Sequence, residues 1–126
     1  MTTPFPQKTI TFHAGETWRI DFAAHDADGS VMPLPGGTTA HFRLADNSGA
    51  SPVDIFTVST SNDISITDGT HGLGTITIPP DLQIANNIVA GGSYLWEFRV
   101  ETPSFSSIQG SGKFKVLTSL FSLSGP

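Results

Sequence analysis

Residues 93 to 101 read "SYLWEFRVE", and their alternation decides the fold. Tyr94, Trp96, Phe98 and Val100 fall on one side of an extended chain, and Leu95, Glu97, Arg99 and Glu101 fall on the other. Side chains repeat every two residues along a strand and every 3.6 along a helix. The pattern therefore predicts a strand with one buried face and one wet face. Outward from this stretch the same period recurs. In "ETWRIDFAAH" (16–25), Trp18, Ile20, Phe22 and Ala24 oppose Arg19, Asp21, Ala23 and His25. In "TAHFRLAD" (39–46), Ala40, Phe42 and Leu44 alternate with His41, Arg43 and Ala45, and in "GTITI" (74–78) Gly74, Ile76 and Ile78 alternate with Thr75 and Thr77.

Turn chemistry separates these runs: "DADG" at 26–29, "PLPGG" at 33–37, "DNSG" at 46–49, "DGTHG" at 68–72 and "AGG" at 90–92. Short half-buried strands joined by such turns read as an all-β antiparallel sandwich of seven or eight strands, or as a partly closed barrel. Strands are expected near 8–13, 16–27, 38–46, 53–59, 63–67, 73–79, 92–102 and 108–118. The one helical signal is "PPDLQIANNIV" (79–89): paired prolines suit a helix start, and Asp81 suits its positive end. This short helix should carry the chain from one sheet to the other. In the last strand, "SSIQGSGKFKV" (106–116), Gly110 and Gly112 share a register with Ile108, Phe114 and Val116. Inward glycines there would leave room for Trp18 or Trp96.

A chain of 126 residues suits one domain with a core of its own, here residues 8–118, between an arm (1–7) and a tail (119–126). There is no cysteine, which excludes disulfides and cysteine zinc sites. Only 13% of residues are charged and the net charge is −5, the wrong sign for tracking phosphates, so nucleic acid is not an expected partner. No run approaches the ~20 apolar residues of a membrane-spanning helix, and "MTTPFPQ" has no basic and apolar leader pattern. The expectation is a soluble chain with neither signal peptide nor membrane insertion.

Candidate chemistry is sparse. Asp26, Asp28 and Gly29 in "HDADGS" (25–30) overlap the start of a calcium loop, but the third ligand and the distant glutamate are missing. Aspartate followed directly by glycine is hairpin chemistry, so a turn is the reading. In "DGTHG", His71 beside Asp68 could pair as base and orienter, with Ser65 or Thr70 as nucleophile. No strand-to-helix elbow presents a serine, and two glycines make a tight turn the better account. His13, His25, His41 and His71 show no metal-ligand spacing. The one set that strand pairing could gather is His25, His41 and Asp21, and exposed strand histidines usually have no such role.

Glu97 and Glu101 flank Arg99, and Lys113 and Lys115 follow in the next strand. Cross-strand charge pairing on a wet face explains them without glycosidase chemistry. The aromatic residues fall in register with aliphatic ones, as a sandwich core demands. Phe56 and Phe105, near strand ends, are the only candidates for a carbohydrate platform. No catalytic residue, metal or cofactor is therefore expected. The remaining apolar residues outside the core pattern are Phe5 in the arm and Leu120, Phe121 and Leu123 in the tail. They are the expected interaction residues.

The ordered pattern resembles immunoglobulin-like β-sandwich modules of phage and prophage tail proteins, in particular the N-terminal domain of phage baseplate upper proteins. The likeness is carried by "AGETWRIDFAAHDADGSVMPLPGGTTAHFRL" (14–44): a strand opening at Gly15 to Trp18, a strand end at Asp26 to Gly29, a connection at Leu34 to Gly36, and Phe42 to Leu44. Then "ISITDGTHGLGTITIP" resembles the central hairpin of such modules, and "AGGSYLWEFRVE" with "GSGKFKV" resembles their closing strands. The resemblance spans residues 8–117. It implies a virion component without an active site, assembling with itself as a homo-oligomer or with other tail proteins. It would be found in the tail, or in the host cytoplasm during assembly. A baseplate upper protein would continue into a helical or receptor-binding region. This chain stops soon after the sandwich, which points to a small structural or adaptor protein. The alternative is a sandwich that binds carbohydrate or a cell surface.

Overall fold

The computed structural model describes residues 9–26, 28–47, 51–60, 62–104 and 106–118. Eight strands follow in order: β1 (Ile10–His13), β2 (Trp18–Ala23), β3 (Thr39–Asp46), β4 (Val53–Ser59), β5 (Ile64–Asp68), β6 (Leu73–Ile78), β7 (Ser93–Glu101) and β8 (Ser106–Leu117). A single 3-10 turn (Gly69–His71) joins β5 to β6, and the short helix α1 (Pro80–Ala85) lies between β6 and β7. Each expected strand is present.

The strands form two sheets, one ordered β1-β8-β7-β3-β4 and the other β2-β6-β5. All pairings are antiparallel except β1 with β8, where Ile10 to His13 run alongside Phe114 to Leu117. Three hairpins stay within a sheet (β3–β4, β5–β6, β7–β8), and the chain changes sheet at β1–β2, at β2–β3, at β4–β5 and, through α1, at β6–β7. This is the two-sheet, Greek-key plan of the immunoglobulin-like sandwich.

The alternation built these layers as expected. Trp18, Phe22, Phe42, Leu44, Ile76, Ile78, Trp96, Phe98 and Phe114 are buried between the sheets. Aromatic contacts bind the layers together: the Trp18 and Phe114 rings lie 5.0 Å apart, and those of Phe22 and Phe98 lie 4.6 Å apart. Such pairs add about 0.5–1.5 kcal/mol each beyond the area they bury. A second signature of the fold sits at the start of β7. Tyr94 Oη accepts a hydrogen bond from the Val89 N–H at 3.0 Å, tying the strand to the corner that enters it. A tyrosine at this place, bonded to backbone a few residues upstream, is the tyrosine corner of immunoglobulin-like domains.

One expectation about β8 fails. Ile108 was placed inward with Gly110 and Gly112, but it is 49% exposed. The pairing with β7 slips between Phe98 and Arg99: Gly110 lies opposite Phe98, yet Ile108 lies opposite Arg99. The extra residue is Gln109, which the bulge turns into the core, where it is fully buried. Beyond the bulge the register is as expected, and Gly112 faces Trp96.

One edge of the five-stranded sheet is β4, and its last residue is closed off. The Thr60 N–H donates to Ala40, so Ser59, one residue earlier, directs its backbone groups away from β3. Both are taken by Asn62. The Ser59 N–H donates to Asn62 Oδ1 at 2.8 Å, and the Asn62 N–H donates to the Ser59 carbonyl at 3.0 Å.

Candidate functional site

Each motif weighed for chemistry resolves into structure. In "HDADGS" the Asp26 N–H donates to the Ser30 carbonyl, the Gly29 N–H donates to the Asp26 carbonyl, and Gly29 takes the left-handed φ of 89°. It is a turn. Asp28 Oδ1 accepts from the Ser30 hydroxyl at 2.6 Å and from its N–H at 3.0 Å. Those bonds, the hydroxyl's first, hold the Asp28 carboxyl below its ordinary value. The "DGTHG" segment is likewise a turn, in which Asp68 caps the 3-10 residues. Its Oδ2 lies 2.8 Å from His71 Nδ1, and this bond lowers the Asp68 carboxyl.

His25, His41 and Asp21 are not brought together. His41 lies on the outer face of the five-stranded sheet, 3.3 Å from Glu101. Asp21 lies on the other sheet, where it accepts from the Thr75 hydroxyl at 3.0 Å. Among the described residues, no group of three His, Asp or Glu side chains could hold a metal ion. Phe56, one of the two platform candidates, pairs opposite Leu44 and packs against the core. The other, Phe105, lies outside the described residues, as do Phe5, Leu120, Phe121 and Leu123.

What remains is a surface: the outer face of the five-stranded sheet. Strand pairing sets its rows. His41 and Arg99 stand side by side, then Arg43, Glu97 and Ser111, then Ala45, Leu95 and Lys113, then Lys115 beside Ser93. The first rows are a charge ladder, with Arg43 bonded to Asp54 and Arg99 3.7 Å from Glu97. The lysines do not join it. Each of the three arginines contacts a carboxylate, but among the described residues Lys113 and Lys115 form no ion pair.

Around these lysines the face is hollow. One concavity of about 420 Å³ is lined by residues that include Arg43, Ala45, Leu95, Gly112 and Lys113. A second, about 380 Å³, is lined by Asn47, Gly91, Tyr94, Lys113, Lys115 and Leu117 among others. The two share Lys113. Short side chains make the floor: Ala45 packs down to 6% exposure, and glycine stands at 91, 92 and 112. Sequence reasoning treated Lys113 and Lys115 only as members of a charge ladder. Register makes the difference, because it places them opposite Leu95 and Ser93 instead of opposite glutamates.

Strand order and the tyrosine corner define an immunoglobulin-like β-sandwich. No protein-family model matches the chain, and no curated protein matches it. Among solved structures it is similar to the NK cell receptor NKp44, described as a triggering partner in natural cytotoxicity. That match has 18% identity over 90% of this chain and 98% of that one, with a TM-score of 0.44. It is also similar to murine CRIg, at 15% identity over 88% of this chain and 92% of that one, with a TM-score of 0.41.

Proposed function

We propose that this protein is a non-enzymatic assembly module that works through protein–protein contacts on the outer face of its five-stranded sheet. The observation that carries this reading is the double concavity around Lys113, floored by short and apolar residues. Charged strand residues normally fill such a face, and a hollow with an apolar floor is a surface shaped for a partner. The resemblance of residues 8–117 to tail-protein sandwiches supplies the setting, a phage or prophage tail, in which the chain associates with itself or with a larger tail protein.

Leu95→Arg tests the face directly, because it puts a long cation on the floor of the hollow without touching the core. Absolute mass in solution, by light scattering after size exclusion, should exceed the monomer for the wild type and fall to the monomer in Leu95→Arg. An oligomer indifferent to this substitution would remove the face from the reading. A monomeric wild type with reproducible glycan-array hits, lost in Leu95→Arg, would replace assembly with carbohydrate binding.

A further inference from the structure

The two unpaired lysines have a counterpart elsewhere on the same chain. Lys113 and Lys115 alternate with the buried Phe114 and Val116, so both project from the outer face, roughly 6.5 Å apart along the strand. The turn at 26–30 carries two carboxylates with the same sequence spacing, Asp26 and Asp28. Neither forms an ion pair among the described residues. Asp28 is held in place through one oxygen by Ser30. Beside the turn, Val31 bridges to His25 and is 48% exposed.

The two sites sit at opposite ends of the sandwich. Gln109, at the start of β8, holds the backbone of His25 and so fixes the acidic turn there. The lysines come four and six residues later, about 13 and 20 Å along the strand at ~3.3 Å per residue. That is the end where the Ala14 N–H donates to Leu117 and the Gly91 N–H donates to Val116. The turn of one molecule therefore cannot reach its own lysines.

We infer that a second copy of this chain docks its Asp26–Asp28 turn into the Lys113–Lys115 hollow, so that copies associate head to tail. This rests on reading that face as a contact surface. Charge complementarity selects the occupant. On a chain of net charge −5, these lysines are the described cations left without a carboxylate. The exposed Val31 accompanies the carboxylates and suits a floor that includes Ala45, Leu95 and Leu117. A nucleic acid fits less well, since only two lysines would meet its phosphates while Glu97 and Glu101 repel them from the same face. A contact between two different patches is heterologous, and it extends into rings or open chains instead of closing at two copies.

Charge exchange tests the inference. Four proteins are compared by light scattering at about 20 mM and about 500 mM salt, where screening differs severalfold: the wild type, Asp26→Lys/Asp28→Lys, Lys113→Glu/Lys115→Glu, and the fourfold exchange. Asp28, Lys113 and Lys115 are exposed and Asp26 is half-buried, and far-ultraviolet circular dichroism checks that each variant folds. The wild-type mass should rise with concentration at low salt and drop towards the monomer at high salt. Each two-residue variant should be monomeric, because its turn and hollow then carry like charges. The fourfold exchange, and an equimolar mixture of the two-residue variants, should associate again. A wild type that is monomeric at low salt, a mass that stops at two copies, or a mixture that stays monomeric overturns the inference. If the wild type associates regardless of these charges but Leu95→Arg dissociates it, the head-to-tail contact fails and the contact face survives. Indifference to both sets of changes removes the face as well.

Discussion

Gln109 and His25, 84 positions apart in sequence, are joined in both directions: Gln109 Oε1 accepts from the His25 N–H at 2.9 Å and Nε2 donates to the His25 carbonyl at 3.1 Å. A fully buried amide thus supplies what a neighbouring strand would supply, and it ties β8 to the chain just beyond β2, across the two sheets. Gln83 repeats the device from α1: Oε1 accepts from the Gly15 N–H and Nε2 donates to the Glu16 carbonyl.

Replacing Gln109 by Leu keeps the volume near constant and leaves both His25 backbone groups unpaired in a partly buried place. An unpaired buried group costs about 1–3 kcal/mol, so Gln109→Leu should lower unfolding stability by roughly 2–4 kcal/mol. Urea denaturation measures it. A loss under about 0.5 kcal/mol would show that water replaces the amide at little cost.

Tyr94→Phe removes the hydroxyl of the corner and little else. The Val89 N–H loses its partner, and a loss of about 1–2 kcal/mol is expected by the same measurement.

Gly74 on β6 lies under Phe22, and a Cβ there would run into that ring and stand 2.7 Å from the Ser65 carbonyl oxygen. The ring could swing but backbone cannot yield as cheaply. Gly74→Ala should cost about 1–3 kcal/mol as an overpacked core, seen as a lower melting temperature with the strand signal retained.

Acid titration isolates one charge. The His71 hydrogen bond lowers the Asp68 carboxyl in the folded chain relative to an unfolded value of about 3.9. A depressed carboxylate stabilises the fold above its unfolded pKa, and that contribution is lost as pH falls through the folded value. The difference in urea midpoint between wild type and Asp68→Asn should therefore be present at about pH 5 and close as the pH falls below about 4. A difference that persists at pH 2 would assign the effect to geometry instead of charge.

The apolar segment 119–126 follows directly on the strand that carries both lysines. A truncation ending at Leu117 should weaken self-association while changing the unfolding free energy by no more than about 0.5 kcal/mol. Unchanged assembly would exclude Leu120, Phe121 and Leu123 as contacts.

Most of the architecture was legible because each strand buries one face, so the alternation around Trp18, Phe42, Ile76 and Trp96 marked strand and core together. The tyrosine corner was also written in the chain, as Tyr94 two residues before an inward Trp96, but without a cysteine pair nothing drew the eye to it. Residues 106–110 could not be read this way. At the bulge an isoleucine faces water and a glutamine faces the core, reversing what polarity predicts, and only the pairing of β8 with β7 reveals the slip. The contact face was illegible for a related reason. Which residues stand beside Lys113 depends on register between strands, and register is a property of the assembled sheet.

The closure of Ser59 by Asn62 removes one place at the strand edge where a second chain could pair. A bare strand edge can recruit any extended chain, including a misfolded copy, and growth by that route is indiscriminate. With both Ser59 backbone groups already occupied, the last residue of β4 offers no template. When many copies are crowded together, contacts at that position must then be chosen by side chains, because the backbone there has nothing left to offer.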